Sequence, residues 1–532
     1  MAELHKETLK KVLGELPFTA ELYWLLRQRN KPLQTQYTLH DLPAIIPDFC
    51  VQAKACREKA PAGKTVFLFG STHYWIEYSA VLALGLYAKG HNVTFGYIAK
   101  SDYRTPINRF DLRRQSIYTG NALKPAQSLI NPVMLSGNNP NANLPDAVIE
   151  GIKKVTTFDV QYISQVEDVD VESPLYKLRW EANMDAARGL FGLLQKNKPD
   201  VAVVPNGSIL ETGVVNVITH YLKIQTVTYE FGEQQERIWM ANNDEVMLQD
   251  TNALWQAKQK DTLTKAQWDK VKELYAARMQ GVKWENFSRM WQGVPTIGSK
   301  EVKTQLGLDD RPIVLLATNV IGDSLTLGRN LFSHTMTEFV LRTVQYFAGR
   351  PDVQFVIRIH PGETYLKGVS LAETIRQDMP KLPDNILIVG AKEKVNTYDL
   401  ITLADLGIVF TTTVGLEMAL AGVPVIVGGK THYRNRGFTH DPDSWVNYFK
   451  LLGKLLHDPK ENRLTKNQVD DAWHYAYSYF FEFPRPFPWH LMHMGRDFRE
   501  HSITYVCSPE GEKKYGDTFR YLTGDPIDWE KI

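Results

Sequence analysis

The chain has 532 residues, with 61 Lys and Arg against 60 Asp and Glu, and at roughly 150 residues per domain it is long enough for two to four domains. This length excludes a peptide hormone, a disulfide mini-protein and a single binding module. The formal net charge of +1 disfavours a general nucleic-acid coat. Three cysteines, Cys50, Cys56 and Cys507, form neither a CxxC pair nor a disulfide framework, which suits a reducing cytosol.

Residues 1–60 form the first predicted segment, which is helical with some loop. Its start mixes acids and bases without the apolar core of a signal peptide, and nowhere does an apolar run approach the ~18 residues that cross a bilayer. We therefore expect a cytoplasmic protein, with peripheral contact with the inner membrane left open. An apolar stripe at helical spacing is expected to pack on the body of the protein, a membrane or partner helix being the alternative. The stripe consists of Leu9, Val12, Leu13, Leu22, Leu25 and Leu26.

Residues 61–250 alternate short apolar runs with helical periods, which is the pattern of βαβ units. Helices are predicted over 75–88 and 174–196 and after Ser208, and a long loop over 120–145. We interpret this segment as an acceptor-side, Rossmann-like domain with a doubly wound sheet. The predicted strands are KTVFLFG from Lys64, NVTFGYI from Asn92, VTTFDVQYI at 155–163, VAVVP at 201–205 and IQTVTY at 224–229.

The second half repeats this pattern after a charged helical linker at 251–295, where Thr264 is the expected N-cap and Gly281 the expected stop. Residues 296–462 are predicted to form a nucleotide-sugar-binding, Rossmann-like domain. A helical, aromatic-rich tail, 463–532, should pack back across both domains rather than expose a sugar-stacking or membrane-facing surface. The predicted fold class is thus α/β, with two tandem Rossmann-like domains, a helical N-terminal segment and a C-terminal tail. Strands are predicted at 313–318, 354–360, 386–389, 406–410 and 424–428, and helices near 331–349, 370–379, 397–403 and 414–421.

Polar residues follow the predicted strands of the second half, where ligands of open α/β sheets bind. Thr412 and Thr413 precede a helix that contains Gly415, which indicates an anion site suited to a phosphate; a simple N-cap is the alternative. Pro361 keeps His360 extended and so directs its imidazole, and Arg358 should point to the same face. Glu417 lies four residues after Thr413, whereas a capping box needs three, so its carboxylate is a candidate to accept ribose hydroxyls; a surface Glu is the alternative. The candidate nucleotide-binding residues are Asn319, Asp323, Arg358, His360, Thr411, Thr412, Thr413, Gly415, Glu417, Tyr433 and Arg436.

The first half contains acids instead of a phosphate-binding motif. GxGxxG, GxxxxGK[ST], HExxH and GxSxG are all missing from the sequence, so neither a dinucleotide cofactor nor a metal is expected. Glu211, Glu230 and Glu233 lie near the ends of predicted strands or helices and are the candidate catalytic residues. Glu230 directly follows an apolar strand, where burial would raise its pKa and suit it to act as a general base. A surface or N-cap carboxylate is the alternative for each.

RIHPGE at 358–363 and FTTTVGLEMALAGVPVIVGGKTHYRNRGFT at 410–439 resemble the bacterial capsule polysaccharide synthesis glycosyltransferases, a group of GT-B fold that includes the Kdo transferases. The resemblance covers about 310–445 and is only architectural over 60–250. It implies that His360 and Thr412 or Thr413 hold the nucleotide and its phosphate. It also implies sugar transfer from a CMP- or UDP-activated donor to a hydroxyl of a surface-polysaccharide, glycan or lipid-linked glycan acceptor, in the cleft between the domains.

The mechanism that this resemblance implies needs no metal and no cofactor beyond the nucleotide-sugar substrate, because basic groups and a helix N-terminus neutralise the leaving phosphate. An acid of the first domain would deprotonate the acceptor. Three alternatives remain at this point: a CDP-glycerol-type glycerophosphotransferase, a sugar-nucleotide 2-epimerase, and a non-catalytic scaffold of a polysaccharide assembly complex.

Overall fold

The structure is a computed structural model that describes residues 2–28, 33, 37–135, 143–287, 293–365 and 368–532. The chain divides into two compact units. Unit 1 comprises Met1–Val160, Asp170–Met247 and Arg485–Ile527. Unit 2 comprises Gln161–Val169, Leu248–Pro484 and Asp528–Ile532.

The strands of the described residues belong to two sheets, one in each unit. Those of unit 1 are β1 (Thr65–Ser71), β2 (Asn92–Ile98), β3 (Pro132–Met134), β4 (Val201–Pro205), β5 (Gln225–Glu230), β6 (Arg237–Asn242) and, from the C-terminal part of the chain, β12 (Arg485–Pro486). Those of unit 2 are β7 (Ile313–Ala317), β8 (Gln354–Arg358), β9 (Ile386–Val389), β10 (Leu406–Val409) and β11 (Val425–Val427).

The α-helices alternate with these strands and extend beyond them at both ends of the chain. In chain order they are α1 (Ala2–Glu15), α2 (Thr19–Tyr23), α3 (Leu42–Arg57), α4 (Thr72–Ala88), α5 (Arg109–Leu123), α6 (Gln127–Ile130), α7 (Asp146–Ser164), α8 (Pro174–Lys196), α9 (Leu210–Tyr221), α10 (Asn252–Lys258), α11 (Lys265–Gln280), α12 (Ser299–Gln305), α13 (Met336–Ala348), α14 (Leu371–Asp378), α15 (Thr397–Leu403), α16 (Val414–Leu420), α17 (Trp445–Leu455), α18 (Lys466–Tyr477), α19 (Met494–Glu500), α20 (Ile503–Val506) and α21 (Pro509–Leu522). Trp24–Gln28 and Ser478–Glu482 are π-helical, and Lys124–Ala126, Val246–Leu248, Pro361–Tyr365, Leu491–His493 and Trp529–Lys531 are 3-10 turns.

The sheet of unit 1 has the strand order β12-β6-β5-β4-β1-β2-β3, and β1 to β5 pair in parallel. Beyond β5 the pairing becomes antiparallel, through β6 to β12. Six of the seven residues of β1 are buried because helices cover both faces of a parallel sheet. The order from β3 to β6 is that of a doubly wound nucleotide-binding fold.

Unit 2 has a five-stranded, fully parallel sheet in the order β11-β10-β7-β8-β9. All residues of β7, β8 and β10 are buried, which agrees with their uninterrupted apolar sequences. The strand order reverses between β10 and β8, on either side of β7, which is the switch point where ligands bind in doubly wound sheets. The predicted fold class, α/β with two tandem Rossmann-like sheets, is confirmed.

The prediction of a strand over 155–163 is wrong, because these residues lie in α7. Their Val, Thr, Phe and Tyr content favours a strand, but the buried residues Val148, Ile152, Val155 and Asp159 recur every three or four positions, as on one side of a helix. The packing of that side outweighs intrinsic strand propensity. Asp159 is fully buried there, although it is charged.

The long loop predicted over 120–145 is also partly wrong. It contains the end of α5, the short helix α6 and the edge strand β3, while 136–142 lie outside the described residues. Pro132 opens β3, and proline is tolerated at the first residue of an edge strand, where no ladder hydrogen bond is lost. The expected N-cap and stop of the helix within 251–295 are confirmed, since Thr264 forms a capping box with Gln267 at the start of α11 and Gly281 ends that helix in the left-handed conformation.

The two ends of the chain differ in how far their apolar side chains are buried. Residues 485–527 of the tail belong to unit 1 and bury Phe487 and Trp489, whereas its parts on either side, 463–484 and 528–532, belong to unit 2. The N-terminal segment is helical, and its helices α1 and α2 pack on α5 as expected, but the apolar stripe is not the side that packs. Five of its six residues are 56–69% exposed: Leu9, Val12, Leu22, Leu25 and Leu26. No helix among the described residues is both long enough and apolar enough to span a membrane.

Candidate functional site

Three strand ends at the switch point of unit 2 are joined by hydrogen bonds from side chains to the backbone. Thr318 Oγ1, directly after β7, accepts a bond of 2.9 Å from the backbone N–H of His360, beyond β8. The neighbouring Asn319 Oδ1 accepts a bond of 3.1 Å from the backbone N–H of Thr411, beyond β10. Both side chains are buried, so the ends of β7, β8 and β10 are held together by neutral polar groups.

The imidazole of His360 is fixed in direction at this edge. Its Nδ1 accepts a hydrogen bond of 2.9 Å from the backbone N–H of Gly362. A neutral ring that accepts at Nδ1 carries its proton on Nε2, so Nε2 is the atom that donates. His360 is half-buried, and Pro361 keeps its backbone extended. The backbone of Gly362 thus fixes the direction of the ring and of its Nε2–H bond.

The turn from Thr411 to Gly415 is joined to Asn319 by the bond described above. Tyr433 also binds this turn. The carbonyl oxygen of Thr412 accepts bonds from the Tyr433 hydroxyl at 2.5 Å and from the Gly415 N–H at 3.2 Å. A Cβ at position 415 would lie 2.4 Å from the Tyr433 hydroxyl oxygen, so this turn requires glycine. Thr411 Oγ1 is buried without a hydrogen-bond partner among the described residues. Thr413 precedes α16 but does not cap it with its side chain.

Three other predicted nucleotide ligands are directed elsewhere by their contacts. Arg358 is buried, and its guanidinium donates to the carbonyl oxygens of Gly390 at 2.7 Å and Val395 at 3.1 Å, which clamps the loop after β9. Asp323 is exposed and accepts from the N–H of Leu325 within its own loop at 2.8 Å.

Arg436, the third of these residues, is half-buried in the loop that follows β11. It donates to Thr251 Oγ1 at 3.2 Å and to the carbonyl oxygen of His432 at 3.3 Å. Its guanidinium also lies over the ring of Tyr475, 5.8 Å from the centroid. These contacts attach the loop to the end of α18 and to the start of α10.

Glu417 is buried in an ion pair rather than exposed at the strand ends. Its Oε1 accepts from Arg278 Nη1 at 2.7 Å and from the Tyr398 hydroxyl at 2.8 Å, and the residue is 4% exposed. Arg278 comes from α11, in the segment that the sequence indicates as a linker, so spacing along the chain carried no signal of the pair. The contacts favour a structural role for Glu417 within unit 2.

In unit 1, Glu230 is the last residue of β5. Burial is the main influence on the pKa of its carboxyl. Burial raises the pKa of its carboxyl above the ordinary value. The carboxylate accepts from Asn206 Nδ2 at 3.2 Å and from the N–H of Phe231 at 3.0 Å. Asn206 follows β4 in a tight turn with φ of 60°, and its Oδ1 accepts from the N–H of Ser208 at 3.1 Å. The half-buried Glu230 thus occurs at a strand end, as predicted.

Glu211 lies in a different setting, within a buried cluster of four charges. Its Oε1 accepts from Lys100 and, at 2.8 Å, from Arg179, which also binds Asp159 at 3.0 Å. Although burial opposes ionisation, Arg179 and Lys100 hold the pKa of Glu211 well below its ordinary range. Burial in turn lowers the pKa of Lys100 to about 8. Glu233 is half-buried beyond the end of β5.

Sequence reasoning missed Lys100, which helps to build the edge of unit 1. Lys100 follows β2, so its position after a strand was the signal that could have found it. Glu363 follows His360 in the same motif, and burial raises the pKa of its carboxyl to about 7. Among the described residues, no three His, Cys, Asp or Glu side chains are grouped as a metal site would require.

No family model matches the chain, and no curated protein sequence matches it. A solved structure of Thermosulfurimonas dismutans KpsC, beta Kdo 2,7 transferase, is 16% identical with a TM-score of 0.31 and covers 54% of this chain and 79% of that one. The beta Kdo 2,4 transferase of the same KpsC is 15% identical with a TM-score of 0.36, covering 61% and 87%. A UDP-GlcNAc 2-epimerase from Neisseria meningitidis is 12% identical with a TM-score of 0.25, covering 79% and 100%. At such identities the likeness concerns the fold alone.

Proposed function

We propose that the chain is a glycosyltransferase that moves a sugar from a CMP- or UDP-activated donor to a hydroxyl of a surface-polysaccharide or lipid-linked glycan acceptor. The observation that carries this proposal is the directed imidazole of His360 at the switch point of unit 2. A phosphate needs several donors that already point at one place. We assign this role to His360 Nε2 and to the backbone N–H groups of Thr412 and Thr413, and the sequence motifs that resemble capsule glycosyltransferases contain all three residues.

The proposed reaction forms a bond from the acceptor oxygen to the anomeric carbon while the bond from that carbon to the phosphate oxygen breaks. The nucleotide leaves with the electron pair, and His360 stabilises the negative charge that develops on its phosphate. The acceptor hydroxyl gives its proton to the carboxylate of Glu230, whose pKa is raised by burial, so that it is a stronger base than an ordinary carboxylate. We propose no metal, and no cofactor beyond the nucleotide-sugar substrate.

Glu230 is the preferred base among the three predicted acids because its only described partners are an amide and a backbone N–H. Glu211 is ionised beside two cations and has little tendency to accept a proton. Glu233 remains the alternative base, and the comparison of Glu230→Gln with Glu233→Gln decides between them.

Thermal shift with CMP, CDP, UMP and UDP, with and without EDTA, tests the donor site first. A nucleotide at about 100 times its dissociation constant stabilises the folded protein by about 2.7 kcal/mol, which raises the melting temperature. We expect one base to be preferred, no effect of EDTA, and loss of the shift in His360→Ala. The matched control is His457→Ala, because His457 is an exposed histidine of the same unit. An unchanged shift in His360→Ala would remove His360 from the site.

Nucleotide release from sugar-nucleotide donors then tests the reaction. A transferase releases nucleotide faster when the acceptor is present and leaves a new glycosidic bond in the product. A 2-epimerase converts a UDP-sugar without an acceptor, and a glycerophosphotransferase consumes CDP-glycerol instead. Nucleotide binding with no turnover of any donor would favour a scaffold and contradict the proposed function.

A further inference from the structure

Large apolar side chains that face solvent are concentrated in one short segment near the N-terminus. Among the described residues, 18 large hydrophobic side chains are exposed, and eight of these 18 lie between residues 9 and 26. Exposed apolar residues scattered singly are ordinary, but such a cluster marks a surface that contacts something apolar. We call these residues the N-terminal patch: Leu9, Val12, Leu16, Phe18, Leu22, Tyr23, Leu25 and Leu26.

The outward direction of the patch is imposed by the way α1 and α2 are attached to α5. Gly14 lies so close to α5 that a Cβ there would be 2.7 Å from the backbone nitrogen of Phe110. Lys10 binds Asp111 at 2.8 Å, and ion pairs join Glu15 to Arg109 and Glu21 to Arg113. These contacts involve the side of each helix that faces α5. The apolar residues of the patch are therefore left exposed to solvent.

Phe18 lies between the two helices and is the most exposed residue of the patch, at 76%. Its φ of 61° is in the left-handed region, which a bulky aromatic residue rarely adopts. The turn therefore holds an aromatic side chain outward at a conformational cost. Two amphipathic helices with an aromatic residue between them have the form of elements that lie in the interfacial region of a bilayer.

The charges around the patch indicate which apolar partner it fits. Glu7, Glu15 and Glu21 of the N-terminal helices are each paired with a basic residue. Lys11 and Arg27 are exposed beside the patch and have no acidic partner among the described residues. Among the side chains of α1, α2 and the following π-helical turn that the structure describes, the unpaired charge is thus positive, and it complements an anionic surface.

We propose that the N-terminal patch docks on the surface of an anionic lipid bilayer. Phe18 and the exposed leucines enter the boundary between headgroups and acyl chains, and Lys11 and Arg27 lie at the level of the acidic headgroups. This interaction surface is independent of the proposed transferase activity, because none of its residues belongs to the strand ends of either sheet.

Co-sedimentation of the full chain with vesicles tests this surface. We expect binding to phosphatidylcholine vesicles that contain about one-third phosphatidylglycerol, weaker binding to pure phosphatidylcholine, and weakening with added salt. The double variant Phe18→Ser/Leu22→Ser should lower the partition coefficient at least about ten-fold, because two large apolar side chains no longer leave water. The double variant Lys11→Glu/Arg27→Glu should lower binding to the anionic vesicles only.

Val51→Ser is the matched control, since Val51 is also in unit 1 and is 67% exposed, but lies outside the patch. It should bind as the unaltered protein does. Because all substituted side chains are exposed, the melting temperatures should agree, which separates loss of docking from loss of folding. Failure of the unaltered protein to sediment with anionic vesicles overturns the proposal. So does a dimer in light scattering that Phe18→Ser/Leu22→Ser converts to a monomer, because the patch would then bind a second copy of the chain.

Discussion

The five parallel strands of each sheet follow the same order, but the two sheets stabilise their carboxyl edges with different chemistry. In unit 2, Thr318 and Asn319 bind the backbone of neighbouring strand ends, and these groups are neutral. In unit 1, the buried edge contains Lys100, Arg179, Glu211 and Asp159, which compensate one another. The difference teaches that one fold can stabilise the end of a sheet either with neutral hydrogen bonds or with buried charges that compensate one another. In unit 1, Glu230 lies apart from the charged cluster and accepts only from an amide and a backbone N–H among its described partners.

The largest expected effect is the loss of turnover when Glu230 is replaced. Glu230→Gln keeps the size of the side chain but removes the proton acceptor, so we expect turnover to fall by about 100-fold to 10,000-fold. Affinity for the donor nucleotide should not change. The pH profile provides a second measurement: burial raises the pKa of Glu230, so activity should be lost as pH falls through a value above the usual carboxyl range. Equal turnover in Glu230→Gln and the unaltered protein would move the role to Glu233.

The charge cluster of unit 1 predicts the next largest effect, on stability. Arg179→Met leaves Asp159 and Glu211 buried with Lys100 as the remaining cation, and breaking such a buried pair costs about 3–5 kcal/mol. The melting temperature should fall by about 10 °C. Arg520→Met is the control, because Arg520 is 58% exposed in a surface pair with Asp517, and surface pairs contribute about 1 kcal/mol or less. Equal effects of the two variants would show that the cluster is not held by its charges.

The third prediction concerns the pH dependence of the stability of unit 2. Burial raises the pKa of Glu363 in unit 2 to about 7, so the folded state holds this proton more tightly than the unfolded state does. Stability from this group is therefore fully present below the unfolded pKa and is lost as pH rises through about 7, a change of no more than about 3 kcal/mol. Melting temperatures of Glu363→Gln should depend less on pH over that interval than those of the unaltered protein. Parallel pH curves would contradict this assignment.

Strand positions in both sheets were largely predictable, because continuous apolar runs such as β7 and β10 bear the signature of buried parallel strands. The edge strands β3 and β12 and the neighbouring strand β6 were not predicted, since they are short or pair antiparallel and have little apolar pattern. The helix α7 was mistaken for a strand because residues of high strand propensity form its buried side. The pattern of apolar residues along the sequence therefore predicts a strand reliably only where that strand is buried on both faces.

The positions of the candidate site residues at strand ends could be predicted from the sequence. The residues that they bind in the structure could not. His360 and Thr411 follow strands, and their place at the switch point could be read from the alternation of elements. Arg278, which binds Glu417, is 139 residues away along the chain, and Lys100 is 111 residues from Glu211. A carboxylate looks the same in sequence whether it is free or paired, so the structural pairing of Glu211 and Glu417 needed three-dimensional packing to appear.

The smallest expected effect tests how the neutral edge of unit 2 holds its histidine. Thr318→Val keeps the shape of the side chain but removes the oxygen that accepts from the backbone N–H of His360. A buried N–H left without a partner costs about 1–2 kcal/mol, and the strand end that positions the imidazole is released. We expect a melting temperature lowered by a few degrees and nucleotide affinity lowered about five-fold to ten-fold, measured by calorimetry. Thr402→Val is the control, since Thr402 donates to a carbonyl within its own helix at 3.0 Å. If Thr318→Val loses stability but keeps its full nucleotide affinity, the neutral edge only supports the fold, and the contrast between the two sheets is structural rather than functional.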